Sequence, residues 1–410
     1  MTQPHLDIDF IRQQFPAFAE PSLQGQAFFE NAGGSYTSRF VIERLERFYR
    51  QRKVQPYYPF EASKLAGEEM DEARTRLAAI LNIGADELSF GPSTTQNTYV
   101  LSQAFRQVLK EGDAIIVTNQ DHEANTGPWR RLADSGIEVR EWQVDPETGF
   151  LDPKELARLL DPDVKLVCFP HCSNIVGQVN PVRELAQMIH DAGAVCCVDG
   201  VSYAPHGLPD IGALGVDIYL FSSYKTFGPH QGVMYVKRDI AASLPNQGHY
   251  FNANYTGKRF TPAGPDHAQV AASAGMADYV DAVHAHHFAG AADPAEKGRQ
   301  VHQIQSAHEA QLLRPLLDYL RGRNDVRLIG SPDTADRVPT VSIVTQKPAE
   351  AVNAELAKLG IMAGGGDFYA VRLLEALGID PAHGVLRLSF VHYTSEEEIE
   401  KLLKALDQTL

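Results

Sequence analysis

The chain has 410 residues, with 52 acidic against 37 basic side chains and a formal net charge of −15. A hydrophobic fraction of 44% and a charged fraction of 22% fit a globular chain with a sizeable core, spread by length over two or three domains, and exclude disorder of the whole. The negative field argues against a broad nucleic-acid or anionic-membrane surface, but leaves room for a small anion in a local pocket.

From about residue 86 to 236, short apolar runs alternate with amphipathic helical stretches. The runs predict strands at 87–90, 114–118, 137–142, 164–170, 194–199, 216–221 and 232–236. Several are apolar almost throughout, as strands covered on both faces should be. Asp152-Pro153 with Glu155, and Asn180-Pro181 with Glu184, read as helix starts with an N-cap, a proline at the first helical position and an early acid. This alternation favours a mainly parallel, doubly wound α/β sheet.

The pattern changes after about residue 240. Residues 246–266, rich in Gly, Asn, Tyr and Pro, read as a long loop of a length that is often functional. Helices are predicted at about 268–283 and 293–321. The C-terminal stretch reads as a second, smaller α/β unit with strands at 326–329, 340–344 and 385–390. Its closing helix starts at Ser395 with Glu398 in capping-box register, and continues through Ile399, Leu402, Leu403 and Leu406.

In an open α/β sheet, ligands bind beyond the carboxyl ends of the strands, so the residues that follow each strand are the first to examine. The run 87–90 leads into Ser93-Thr94-Thr95-Gln96 at the start of a helix, where hydroxyls and free N–H groups suit a phosphate as well as they suit a plain helix cap. The run 114–118 leads to Asp121-His122-Glu123-Ala124-Asn125, with His122 a loop histidine if taken alone. Asp199 closes the run 194–199, where a carboxylate needs a partner or caps the next turn. The run 216–221 leads to Ser222-Ser223-Tyr224-Lys225-Thr226-Phe227. There the aromatic neighbours desolvate Lys225 and make its amine a usable nucleophile and base. A phosphate nest, a histidine that can stack on a ring, a strand-end aspartate and a lysine 26 residues later are the parts that pyridoxal 5′-phosphate requires.

With these residues in this order, the chain resembles the fold-type I pyridoxal-phosphate enzymes, specifically the class V aminotransferase group and its cysteine desulfurase and selenocysteine lyase-like branch. The resemblance runs from Phe29-Glu30-Asn31-Ala32-Gly33-Gly34 to Glu396-Glu397-Glu398-Ile399. It implies a mainly parallel, seven-stranded, doubly wound sheet with a smaller C-terminal α/β domain. It further implies that Lys225 is the Schiff-base lysine, Asp199 the partner of the pyridinium nitrogen and His122 the ring-stacking histidine. Asn174 matches the asparagine at the phenolic oxygen, and Thr94, Thr95 and Ser222 match phosphate-binding positions. Arg387 matches the arginine that clamps a substrate carboxylate, a task suited to its planar fork. Asn31 is a candidate beside the substrate, and Ser202 and Tyr224 are candidates beside the cofactor.

The departures from the family pattern bear on the reaction. Desulfurases of this branch carry a persulfide-forming cysteine ahead of the last strand, where this chain has Gly364-Gly365-Gly366-Asp367-Phe368-Tyr369, with Tyr369 at the cysteine's place. Ser202 replaces a glutamine or histidine three residues after the aspartate. Tyr224 replaces a histidine, as it does in kynureninases, where it contacts phosphate. The resemblance therefore implies an enzyme acting on the Cα–H of a small amino acid, desulfurase-like but without the usual persulfide cysteine. Transamination is the main alternative, and a non-catalytic cofactor-binding protein is a further one. No Gly-x-Gly-x-x-Gly or Walker pattern stands at a strand end, which argues against a nucleotide-binding enzyme.

The remaining expectations concern organisation and setting. An N-terminal segment 1–30 is expected to pack with a small domain 286–410, beside a large cofactor-binding domain 31–285. The resemblance implies a homodimer with the active site at the subunit interface, 252–259 and 57–64 being the candidate cross-subunit segments and Arg259 or Lys258 the cation approaching the partner's phosphate. Met1–Asp9 lacks a secretory signal and no run spans a membrane, so a cytoplasmic location is expected. Cys168, Cys172, Cys196 and Cys197 sit in or beside apolar runs and read as buried free thiols. Cys168, His171 and Cys172 match no zinc spacing, so no metal is expected.

Overall fold

The computed structural model describes residues 4–410, so three residues of the 1–30 segment lie outside it. Thirteen strands follow one another among the described residues. They are β1 (Ala27–Phe28), β2 (Leu88–Gly91), β3 (Ala114–Thr118), β4 (Glu138–Trp142), β5 (Val164–Pro170), β6 (Val195–Asp199), β7 (Ile218–Ser222), β8 (Gly232–Val236), β9 (Arg327–Leu328), β10 (Thr340–Val344), β11 (Ile361–Met362), β12 (Gly364–Gly366) and β13 (Val385–Ser389).

Strands β2 to β8 form one sheet in the order β2-β8-β7-β6-β5-β3-β4, parallel except for β8. Every residue of β3, β7 and β8 is buried, which is why these strands read as unbroken apolar runs. The edge strand β4 (Glu-Val-Arg-Glu-Trp) is charged and part-exposed, as an edge that should not recruit another chain must be. The chain winds outward from β3 to β4 and then crosses back to β5, so the order reverses between β3 and β5. Their carboxyl ends define the crevice where such sheets bind ligands.

A four-stranded antiparallel sheet, β12-β13-β10-β9, and the parallel pair β1-β11 make up the C-terminal unit. Ala27 and Phe29 belong to its apolar cluster, with Leu312, Leu316, Val341, Leu388 and Leu402. The closing helix, Glu396–Thr409, carries the expected capping box: Ser395 Oγ accepts from Glu398 N, and Glu398 Oε2 accepts from Ser395 N. Glu398 also pairs with Arg12 at 2.9 Å, which ties the N-terminal segment to this unit.

Three expectations are corrected. The helix expected at Asn180-Pro181 begins at Val182 without a side-chain cap: Asn180 Nδ2 donates to Gln120 Oε1 (2.9 Å) and Pro170 O (2.8 Å), and its Oδ1, the atom that would cap, accepts from no helix N–H. The helix expected at 268–283 is two, His267–Ala272 and Ala274–His287, divided at Ser273. The 246–266 loop is not without structure; it holds two short turns, Tyr250–Asn252 and Thr256–Lys258.

Candidate active site

Nine of the residues singled out in the sequence meet in one cavity at the carboxyl end of the large sheet. Thr94, Thr95, His122, Asn174, Asp199, Ser202, Ser222, Tyr224 and Lys225 all line it. Each lies at the end of a strand or on the segment that follows one, so the sheet itself brings together residues as distant as Thr94 and Lys225.

The part of the cavity at Thr94 and Ser222 has the chemistry of an anion seat. Ser93 caps the helix Thr94–Arg106, its hydroxyl accepting from Gln96 N at 3.1 Å. Thr94 Oγ1 and Ser222 Oγ lie 2.7 Å apart. Hydroxyls at the positive end of a thirteen-residue helix suit a phosphate. Asp199 also lines the cavity, its Oδ1 accepting from Val201 N at 2.8 Å. Burial pushes its carboxyl up to about 6, against the N–H of Val201 and the charge of Lys225. The glycine after it is dictated by packing: a Cβ on Gly200 would fall 2.1 Å from the Tyr219 hydroxyl.

Lys225 ends a single 3-10 turn, Ser223–Lys225, directly after β7. Tyr224 in that turn stacks on His230, with ring centroids 4.6 Å apart. Its carbonyl accepts from both the N–H (3.1 Å) and the hydroxyl (3.0 Å) of Ser35, which fixes the turn. Burial brings the Lys225 ammonium down to about 8, helped by the charge of Arg387 and opposed by Asp199 and Glu30. A part-neutral amine near physiological pH is what a carbonyl-capturing nucleophile needs.

His122 caps the helix Glu123–Arg130 by accepting from Ala124 N at Nδ1, at 3.0 Å. Burial, and then the charges of Lys225 and Arg387, bring its imidazole down to about 3, so the ring is neutral with its proton on Nε2. Asn174 donates to Phe368 O at 3.1 Å, while its side-chain oxygen is buried without a hydrogen-bond partner. A cavity with a hydroxyl-lined helix terminus, a buried amine, a strand-end carboxylate and an orphaned amide oxygen fits pyridoxal phosphate.

Arg387 and Asn31 stand outside the lining. Arg387, on β13, is buried beside the cavity, with Nη2 2.6 Å from Glu30 Oε1, Nη1 3.4 Å from Asn174 O and its guanidinium 3.7 Å above the Phe368 ring. Asn31 is engaged elsewhere: its oxygen accepts from the Tyr393 hydroxyl, and its amide donates to Ser389 O at 3.3 Å. Tyr369 lies at the mouth, its ring 5.3 Å from that of His122 and its carbonyl accepting from Glu123 N at 2.8 Å. Phe368 and Tyr369 both have positive φ, 51° and 57°. Such strain in consecutive non-glycine residues persists only where contacts on both sides hold the segment.

Several further side chains stand at the cavity to which the sequence assigned no role there. Gln120, Cys172 and His230 also line the cavity. The Cys172 thiol donates to Gly177 O at 3.3 Å, and burial pushes it above the usual thiol range, which disfavours the thiolate. All four cysteines are free and buried. Asp121 is buried below His122, accepting from Asn125 Nδ2 (2.8 Å) and from Thr118 Oγ1; burial pushes it up to about 8, so it is mostly protonated at neutral pH. Its position between His122 and the strand end was the available signal.

The description "Aminotransferase class-V" belongs to the family model that matches residues 27–402. The chain is similar to the aminotransferase-like protein FGM3 of Gibberella zeae, at 33% identity over the whole of both chains. It is also similar to a cysteine desulfurase of Pectobacterium carotovorum, at 29% identity over 98% of this chain and 97% of the relative. Among solved structures, the apo cysteine desulfurase of Thermococcus onnurineus superposes with a TM-score of 0.85 over 100% of this chain and 99% of that one, at 23% identity, and so shares its fold.

Proposed function

The chain belongs to the aminotransferase class-V family, whose members are pyridoxal-phosphate enzymes, and on that premise we propose that it removes the Cα proton of a small amino acid in a desulfurase-like reaction without a cysteine persulfide. The observation that carries this reading is the convergence of Lys225, Asp199, His122, Thr94 and Ser222 on one cavity. When bound, pyridoxal phosphate supplies an electrophilic carbonyl and a ring that takes up the charge developing at Cα. The Lys225 amine would be the residue that holds the cofactor's carbonyl, and the base placed to take up the Cα proton. Asp199 would hold a proton on the ring nitrogen, a fixed charge set where charge develops. The neutral His122 ring would cover the cofactor ring, Asn174 would lie by its phenolic group, and Thr94, Thr95 and Ser222 would hold its phosphate, with Ser202 and Tyr224 as further lining residues. Arg387 takes the substrate carboxylate. The reading without a persulfide is supported by Tyr369 standing where desulfurases of this branch carry the cysteine and by the hydrogen bond that engages the thiol of Cys172.

The test is an absorbance titration of the cofactor-loaded protein with a panel of small amino acids, with product analysis. A spectral shift followed by sulfide or ammonia together with pyruvate supports elimination. A stoichiometric keto acid redirects the reading to transamination. Absence of any shift across the panel overturns the proposal.

Residues 31–285 read as the cofactor-binding unit and 286–410 as the smaller one, the latter extended by the N-terminal segment through β1 and the Arg12–Glu398 pair. The protein is further proposed to act as a homodimer. Tyr57, Tyr58, Phe60, Tyr250, Phe251 and Tyr255 are all more than half exposed, and they fall in or beside the two segments expected to cross between subunits. Such a density of bare aromatic surface marks an interface. Arg259 is engaged in its own loop, donating to Ala253 O and Leu244 O, which leaves Lys258 as the exposed cation there. Size-exclusion chromatography with light scattering should give twice the 45.1 kDa chain mass. An active monomer would refute the dimer. No helix among the described residues is long and apolar enough to cross a membrane.

A further inference from the structure

The carboxylate of Glu30 occupies the guanidinium that the proposed reaction needs for its substrate. Arg387 Nη2 donates to Glu30 Oε1 at 2.6 Å, whereas Nη1 makes only a long contact with Asn174 O and Nε is buried without a partner. The ring of Phe368 closes one face of the group. A carboxylate that binds an arginine bidentately needs two parallel N–H groups, and Glu30 holds one side of the terminal fork.

The resting place of Glu30 is built into the backbone. A Cβ on Gly33 would lie 2.0 Å from Glu30 Oε2, and one on Gly364 would lie 3.3 Å from Oε1, so glycine at both positions leaves room for the carboxylate. The two partners differ in access to water: the Arg387 side chain is 4% exposed and that of Glu30 is 30% exposed. The glutamate can swing into solvent, and the arginine cannot. An unpaired buried guanidinium would be costly, which gives the pair a purpose before substrate arrives. Two carboxylates on one guanidinium repel each other.

We propose that Glu30 is a positioning residue that holds Arg387 in the free protein as a resident carboxylate and is displaced when a ligand carboxylate arrives. The inference rests on the assignment of Arg387 as the carboxylate clamp. Glu30 thus lowers the affinity of every carboxylate ligand by the cost of its own displacement. It also raises the selectivity of the clamp, because a ligand must supply a carboxylate good enough to replace one already in place.

Propionate serves as the probe, because its binding by calorimetry needs neither turnover nor an identified substrate. Glu30→Gln should bind propionate about tenfold more tightly than the unaltered protein, the scale of one charge-assisted hydrogen bond. The double variant with Arg387→Ala should bind none, and ethylamine, which has no carboxylate, should not distinguish the proteins. Glu30→Asp, one methylene shorter, should fall between, and it stands in if Glu30→Gln does not fold. With an amino acid found to turn over, KM should fall in Glu30→Gln by more than kcat changes, since the same substitution also removes a charge that acts on Lys225. Equal or weaker propionate binding by the variant, or no binding by either protein, overturns the inference. Failure of every amino acid to shift the absorbance overturns the proposed reaction instead, so the two are separable.

Discussion

Lys225→Ala protein is expected to purify folded, to remain colourless after incubation with pyridoxal phosphate, and to lose turnover by at least about a thousandfold, within the range for deleting a positioned proton-transfer group. The folded state should survive because two effects oppose each other. Truncating a buried side chain costs about 2–5 kcal/mol through lost packing. Burial, however, brings the Lys225 ammonium from 10.5 down to about 8, so below pH 8 the folded protein carries a charge that the unfolded chain carries more easily. Relief of that penalty returns roughly 3 kcal/mol at neutral pH. Between about pH 8 and 10.5 the unfolded state binds the extra proton, so this residue's penalty in the unaltered protein fades as pH rises through that window. The same titration predicts faster cofactor uptake by apo-protein as pH passes 8, where the amine becomes neutral. Thermal melts, the visible band and a turnover assay check the set. A coloured, active variant would remove Lys225 from the chemistry.

The parts of this site that were legible in the sequence are those that local chemistry announces. Lys225 is framed by Tyr224 and Phe227, Asp199 ends an apolar run, and Thr94 opens a capped helix. Strands β3, β5 and β8 occupy the residues that their apolar runs mark, because a strand covered on both faces has little freedom of composition. β12 was not legible. It is three glycines, with no side chain to show a period, and is a strand only because β13 pairs with it, Gly364 opposite Arg387. That pairing delivers Phe368 to the guanidinium. The Glu30–Arg387 pair spans 357 positions and depends on Glu30 meeting β13 at Ser389, which no local pattern encodes. Asn31 shows the converse limit: adjacency in the motif suggested a place beside the substrate, whereas the backbone turns its amide toward Tyr393 and Ser389.

Asp199→Asn should make the apo-protein more stable and the loaded enzyme nearly inactive. Asparagine keeps the shape and can still accept from Val201 N, so the change isolates the charge. In the free protein, burial raises the carboxyl from 3.8 to about 6. Between those values the folded state binds the proton and the unfolded state does not, so the contribution of Asp199 to stability falls as pH rises from about 4 to 6. Above pH 6 the full penalty stands, roughly 3 kcal/mol for a shift of this size. The variant's advantage in melting temperature should therefore be greatest at pH 7–8, shrink through pH 6 and vanish near pH 4. Activity should move the other way. A neutral amide cannot hold the ring nitrogen protonated, and removing one preorganised electrostatic partner costs at least about a hundredfold in rate. The Asp199 carboxylate is then a destabilising charge that the fold keeps for the chemistry it permits. An apo variant less stable than the parent at pH 7.5 would show that Asp199 is held by structural contacts. A loaded variant with unaltered turnover would show that the ring nitrogen needs no acidic partner here.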